Sequence, residues 1–160
     1  MKAAIVMGSK SDFDSVKPAA DALKSFGVET EVRVISAHRT PNEAHDFAVN
    51  AAKNKIEVII AAAGKAAHLA GVLAANTTLP VIGLPVKSSF MDGLDSLLST
   101  VQMPSGIPVA TVAVGGGENA GLLAVRILSV KYPALRAMLR EHADKMRAKT
   151  VADDLSLSNI

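Results

Sequence analysis

Ala3-Ala4-Ile5-Val6-Met7-Gly8-Ser9-Lys10-Ser11-Asp12 decides the architecture. An unbroken apolar run this short fits a strand buried on both faces, as in a parallel sheet. The glycine and small polar residues after it mark a loop and then a helix start. Asp12 is placed to cap a helix to about Phe26, with Phe13, Val16, Ala20 and Leu23 on one face and Gly27 as its stop. Pro18 falls inside that pattern and should bend the helix or delay its start.

The same unit recurs downstream. Val28, Thr30, Val32 and Val34 alternate as a second strand. Thr40, Pro41 and Glu43 then read as cap, first helical proline and capping-box glutamate of a helix to about Lys53. Val58–Ala63 predicts a third strand and Ala66–Ala75 a helix of small residues. Pro80–Val86 predicts a fourth strand, and Leu94, Leu97, Leu98 and Val101 recur at helical spacing. Val109–Val114 predicts a fifth strand, followed by helices over Asn119–Val130 and Ala134–Lys149. Strands alternating with helices imply a three-layer α/β/α fold around a parallel sheet of about five strands. Residues 1–150 read as a single domain and 151–160 as a polar tail, mobile or docked on a partner.

Composition narrows the function classes. The chain has 160 residues and no cysteine, which excludes disulfides, thiolate catalysis and cysteine-ligated metal centres. Its four histidines show no metal-ligand spacing, so no metal is expected. Aromatic residues make up 3% and net charge is +2, which argues against a nucleic-acid partner. No apolar run is long enough for a membrane span, and the N-terminus lacks the features of a signal peptide. A cytoplasmic location follows as the expectation. Alanine is abundant, with 27 residues, and allows close approach between elements or to a ligand.

In open α/β sheets, ligands bind beyond the carboxyl ends of the strands, where strand order reverses. Three strand-end loops therefore carry the candidate chemistry. Gly8-Ser9-Lys10-Ser11-Asp12 offers hydroxyls, a cation and a carboxylate at a helix start, suited to phosphate and sugar hydroxyls; a capped turn is the plainer reading. Ser36-Ala37-His38-Arg39-Thr40-Pro41 places a proton-transferring imidazole beside a guanidinium fork for phosphate. Ala63-Gly64-Lys65-Ala66-Ala67-His68-Leu69 has small residues that allow backbone amides to close on a flat ring; close helix packing with His68 as a cap is its plainer reading. Gly115-Gly116-Gly117-Glu118-Asn119-Ala120 fits a loose dinucleotide pattern, but no strand follows to present an acid to a ribose, so it reads as a turn. His45 and His142 read as solvated or partner-facing, and Asp92 and Asp95 as helix-start charges.

These loops, together with Leu79–Val86 and Asp95–Val109, occur in the order and spacing of one family. The chain closely resembles the 5-(carboxyamino)imidazole ribonucleotide mutases of purine biosynthesis over about Ala3–Leu128. The resemblance implies a flavodoxin-like protomer assembled as a homo-octamer, acting without a cofactor on a small nucleotide. It implies transfer of a carboxylate from the exocyclic nitrogen to ring carbon four. By position, His38 matches the catalytic histidine, and Ser9, Asp12 and Arg39 match substrate-binding residues. Ser11 and Ser36 fall among further phosphate or ribose contacts. Gly64, Lys65, Ala66, His68 and Leu69 match the loop that closes over the imidazole and carboxylate. Lys65 stands where that family commonly has a second glycine, and Ala70 where it commonly has proline. A related branch carboxylates aminoimidazole ribonucleotide directly, but Arg39-Thr40-Pro41 and Ala67-His68-Leu69 match the mutases. A flavodoxin-like phosphate-ligand binder and a receiver-like module are the readings of other classes. Scarce aromatics oppose the first, and a lone acid, Asp12, at the first strand end opposes the second.

Overall fold

The apolar runs become strands of one parallel sheet because only a double-sided core hides residues that are apolar on both faces. A computed structural model describes residues 1–157. Its strands are β1 (Lys2–Met7), β2 (Glu29–Val34), β3 (Val58–Gly64), β4 (Val81–Val86) and β5 (Ala110–Thr111). All pair in parallel, in the spatial order β2-β1-β3-β4-β5. The helices are α1 (Phe13–Ser25), α2 (Pro41–Asn50), α3 (Leu69–Ala75), α4 (Leu94–Val101), α5 (Gly117–Ser129) and α6 (Ala134–Leu157).

Alternate residues of β1, β3 and β4 feed two cores. Ile5, Ile60, Ile82 and Leu84 pack with Val16 and Leu23 of α1, Val125 and Leu128 of α5, and Leu135 of α6. Val6, Ile59 and Ala61 pack on the other face with Phe47 of α2 and Leu69 and Leu73 of α3. The chain steps left from β1 to β2, then right through β3 to β5, so strand order reverses between β1 and β3. Two neighbouring loops diverge there and leave a crevice at the carboxyl edge.

Several elements differ from the sequence expectation. Asp12 does not cap α1: a short 3-10 turn, Lys10–Asp12, precedes that helix, and Ser9 is its cap. Ser9 Oγ accepts from the Ser11 amide at 3.3 Å, while Asp12 Oδ2 accepts from the Ser9 amide at 3.1 Å. Pro18 does not delay α1, which begins at Phe13 and continues through it. The face of α1 is also shifted: Ala19 is buried, whereas Phe13 is 46% exposed. Thr40 does not cap α2 through its side chain. Its hydroxyl accepts from the Ser36 amide at 2.9 Å and donates to the Ser36 carbonyl at 3.0 Å, closing the second loop on itself. α2 ends at Asn50 rather than near Lys53, and α3 begins at Leu69 rather than Ala66. β5 keeps only Ala110–Thr111 of the longer predicted strand, as an edge strand paired on one side.

Two helices depart from simple amphipathic packing. α4 exists, but its leucine stripe faces outward: Leu94 and Leu98 are exposed, while Ser96 and Thr100 are buried. Small hydroxyl residues face inward because α4 lies close on β4, and their hydroxyls find backbone acceptors. Ser96 Oγ donates to the Val86 carbonyl at 2.8 Å, and Thr100 Oγ1 to the Ser96 carbonyl at 2.7 Å. α6 runs on to Leu157, so most of the segment expected as a tail is helical. The remainder of that segment, 158–160, lies outside the described residues. His142 of α6 packs its ring against Phe26 at 5.8 Å between centroids, half-buried rather than solvated. His45 Nδ1 donates a 2.9 Å hydrogen bond to Asn76 Oδ1, joining α2 to the end of α3.

Candidate active site

A cleft of about 770 Å³ opens at the carboxyl edge of the sheet, over the point where strand order reverses. Each of the residues singled out from the sequence lines it: Ser9, Ser11, Asp12, Ser36, His38, Arg39, Gly64, Lys65, Ala66, His68 and Leu69. The loops after β1, β2 and β3 thus converge on one space. Gly115 to Asn119 lies outside it, at the start of α5.

The first loop is a hydroxyl cluster built by its own capping geometry. Ser11 Oγ donates to Ser9 Oγ at 2.9 Å and lies 3.5 Å from Asp12 Oδ1. Burial pushes the Asp12 carboxyl above its ordinary value, against the opposing pull of the Ser9 amide, the Ser11 hydroxyl and the Arg39 charge. An acid held there is a stronger acceptor for sugar hydroxyls than a freely hydrated one.

Arg39 binds the first two loops together. Its Nη2 donates to the Gly8 carbonyl at 2.6 Å, and its Nε and backbone amide donate to Ser36 Oγ at 3.3 and 3.2 Å. The guanidinium is therefore held in a fixed direction on an exposed side chain, with donors to spare.

The third loop brings His68 to His38. His38 Nε2 and His68 Nδ1 lie 2.8 Å apart, with the rings edge-to-face at 4.9 Å. One nitrogen donates and the other accepts, so this contact holds a single proton between two bases. His68 occupies the cap position of α3 but makes no side-chain cap bond there, which removes its plainer reading. Lys65 adopts φ 56, a left-handed conformation in which glycine is unstrained. Its carbonyl lies 3.4 Å from Ser99 Oγ of α4, whose hydroxyl donates to the Asp95 carbonyl at 2.8 Å. Ala63 and Ala66 border the cleft, whereas Ala61 and Ala62 belong to the sheet core.

A fourth loop escaped the sequence reading. Val86, Lys87, Ser88 and Ser89 also line the cleft, as does Ser15 of α1. The strand-end rule applied to β4, with the polar run Lys87-Ser88-Ser89 directly after it, would have found them. Ser88 Oγ donates to the Asp95 carboxylate at 2.8 Å, and Lys87 Nζ pairs with Asp92 at 2.7 Å. Among the described residues no group of histidine and acidic side chains is arranged to hold a metal ion.

The family model described as AIR carboxylase matches residues 2–149. The chain is 57% identical over 145 residues to an N5-carboxyaminoimidazole ribonucleotide mutase of Pyrococcus horikoshii, covering 91% of this chain and 82% of that protein. It is 49% identical over 156 residues to the mutase of that name from Thermotoga maritima, covering 98% and 91%. Among solved structures it is similar to Treponema denticola PurE, with a TM-score of 0.87, 29% identity and 98% of each chain covered. Fold, strand-end cleft and sequence agree across nearly the whole length, and the chain belongs to the AIR carboxylase family.

Proposed function

We propose that the chain is an N5-carboxyaminoimidazole ribonucleotide mutase. It moves a carboxylate from the exocyclic nitrogen of the nucleotide to ring carbon four, in purine biosynthesis. The observation that carries the reading is the His38–His68 contact at the mouth of a cleft rich in hydroxyls and cations.

The chemistry needs one proton to change places. The carbamate N–C bond breaks and releases carbon dioxide, and the nitrogen left behind takes a proton from His38. The electron-rich ring carbon four then attacks the held carbon dioxide, forming a C–C bond. The proton on that carbon returns to the imidazole, which restores the starting state. His68 shares the proton across the 2.8 Å contact and keeps the His38 ring oriented. Confinement beside Ala63, Ala66 and Leu69 holds the two fragments together, which supplies proximity without a covalent intermediate. Ser9, Ser11, Asp12, Ser36 and Arg39 bind phosphate and ribose; Gly64, Lys65, Ala66, His68 and Leu69 surround the imidazole and its carboxylate. The reaction requires neither cofactor nor metal.

Incubation with the carbamate nucleotide, without ATP or bicarbonate, should yield the 4-carboxy product by ultraviolet absorbance. Product formed only from aminoimidazole ribonucleotide with bicarbonate would replace the mutase reading with direct carboxylation.

The working form is a cytoplasmic homo-octamer. In support, Leu94, Leu98 and Val101 form an outward apolar face on α4, continued by Phe90 at 84% exposure. Such a face is costly to hydrate in a lone protomer. Among the described residues no helix is long and apolar enough to cross a membrane. Leu98→Glu should lower the sedimenting mass several-fold; an unchanged mass would exclude this face from the assembly.

A further inference from the structure

We propose that Lys65 recognises the migrating carboxylate, so that the cleft distinguishes carboxylated nucleotides from the same nucleotide without that group. The inference rests on the mutase reading of the cleft.

Among the described residues, Lys65 is one of three non-glycine residues with positive φ. The other two do not line the cleft. Lys55 lies in the turn between α2 and β3 and does not line the cleft, and the Asp92 carboxylate is engaged by Lys87. Lys65 lines the cleft, in a backbone conformation that glycine would occupy without strain. Strain retained at a cleft position points to the side chain as the reason for it.

The charges of the cleft support this assignment. Its lining cations are Arg39, Lys65 and Lys87. Arg39 is spread over the Gly8 carbonyl and Ser36 Oγ, on the side of the hydroxyl cluster. Lys87 is paired with Asp92 at 2.7 Å. Among the described residues the Lys65 ammonium has no ion-pair or hydrogen-bond partner. The substrate carries two anionic groups, a phosphate and a carboxylate. The first and second loops offer hydroxyls and Arg39 to one. Lys65, three residues before His68 on the loop bearing the proton-transfer partner, is the cation left for the other.

The test compares wild type with Lys65→Met, Lys65→Arg and Lys65→Gly. Lys65→Met should raise KM about tenfold for the carbamate nucleotide and for the 4-carboxy product in reverse. Inhibition by aminoimidazole ribonucleotide, which has no carboxylate, should change less than about twofold, and Lys65→Arg should restore most of the difference. The gap between wild type and Lys65→Met should narrow as salt is raised. Lys65→Gly should unfold at higher urea than wild type and yet lose the same discrimination, which separates recognition from folding. Unchanged KM in Lys65→Met, or equal weakening of carboxylated and uncarboxylated ligands, overturns the assignment. Calorimetric binding of the 4-carboxy nucleotide reads the same comparison without turnover, so failure of the mutase reaction itself would remain distinguishable.

Discussion

Gly83 sits in the middle of β4, opposite Ala61 of β3 and Thr111 of β5, under α4. A methyl group added there would collide with Thr100 Cγ2, lie 2.9 Å from Val109 Cγ1 and touch Ala70 Cβ at 3.6 Å. Thr100 cannot readily turn aside, because it is 3% exposed and its hydroxyl is bonded to the Ser96 carbonyl at 2.7 Å. Overpacking of this kind costs about 1–3 kcal/mol, and replacing a strand glycine returns roughly 0.5–1 kcal/mol of backbone entropy. Gly83→Ala should therefore lose about 1–2 kcal/mol, or about 2–8 °C in Tm for a chain of this length. Thr100→Ser removes the colliding methyl but keeps the hydroxyl, and alone should cost about 1 kcal/mol. In the double variant the new methyl occupies the vacated space. The pair should then be more stable than the sum of the single changes by at least about 1 kcal/mol. Urea unfolding followed by circular dichroism, at one fixed protein concentration, measures all four corners of the cycle. A neutral Gly83→Ala, or strict additivity, would refute the close contact between α4 and β4. The contact matters for the cleft, because α4 carries Ser99 beneath Lys65 and Asp95 beneath Ser88.

His38→Asn should bind the 4-carboxy nucleotide within a few-fold of wild type while turnover falls by about 10²–10⁴; near-normal kcat would remove His38 from proton transfer. Arg39→Ala should raise KM by about 10–100-fold, through lost phosphate pairing and release of the first loop from the second. An unchanged KM would count against both roles. Burial opposes ionisation of Glu57, but the Lys131 ammonium at 2.7 Å and the Tyr132 hydroxyl at 2.9 Å outweigh it and hold the carboxyl below its ordinary value. A depressed carboxyl stabilises the fold above the unfolded value near 4.5 and loses that contribution as pH falls through the folded value. Glu57→Gln should thus cost about 1–2 kcal/mol at pH 7, and its deficit should shrink below pH 4.5. A deficit independent of pH would show that Glu57 acts through packing alone.

What the chain alone determined is what neighbouring residues determine. Continuous apolar runs of strand length, such as Ala3–Met7 and Val58–Ala63, have no other stable place than a double-sided sheet. Alternation with helices fixes parallel pairing, and parallel pairing puts the loops after β1, β2 and β3 at one edge. The candidate residues were legible for that reason. Tertiary structure decided what depends on distant partners. His38 and His68 are thirty positions apart and meet only because β1 and β3 are adjacent while β2 lies outside them. The leucine stripe of α4 points outward because the bare backbone of Gly83 admits Thr100, a contact that hydrophobic spacing cannot encode. Thr40 gave up its cap because the Ser36 backbone was within reach of its hydroxyl, and Lys65 adopts a glycine's conformation in the turn between β3 and α3. Local pattern selects elements through burial; the geometry between elements sets which polar groups meet.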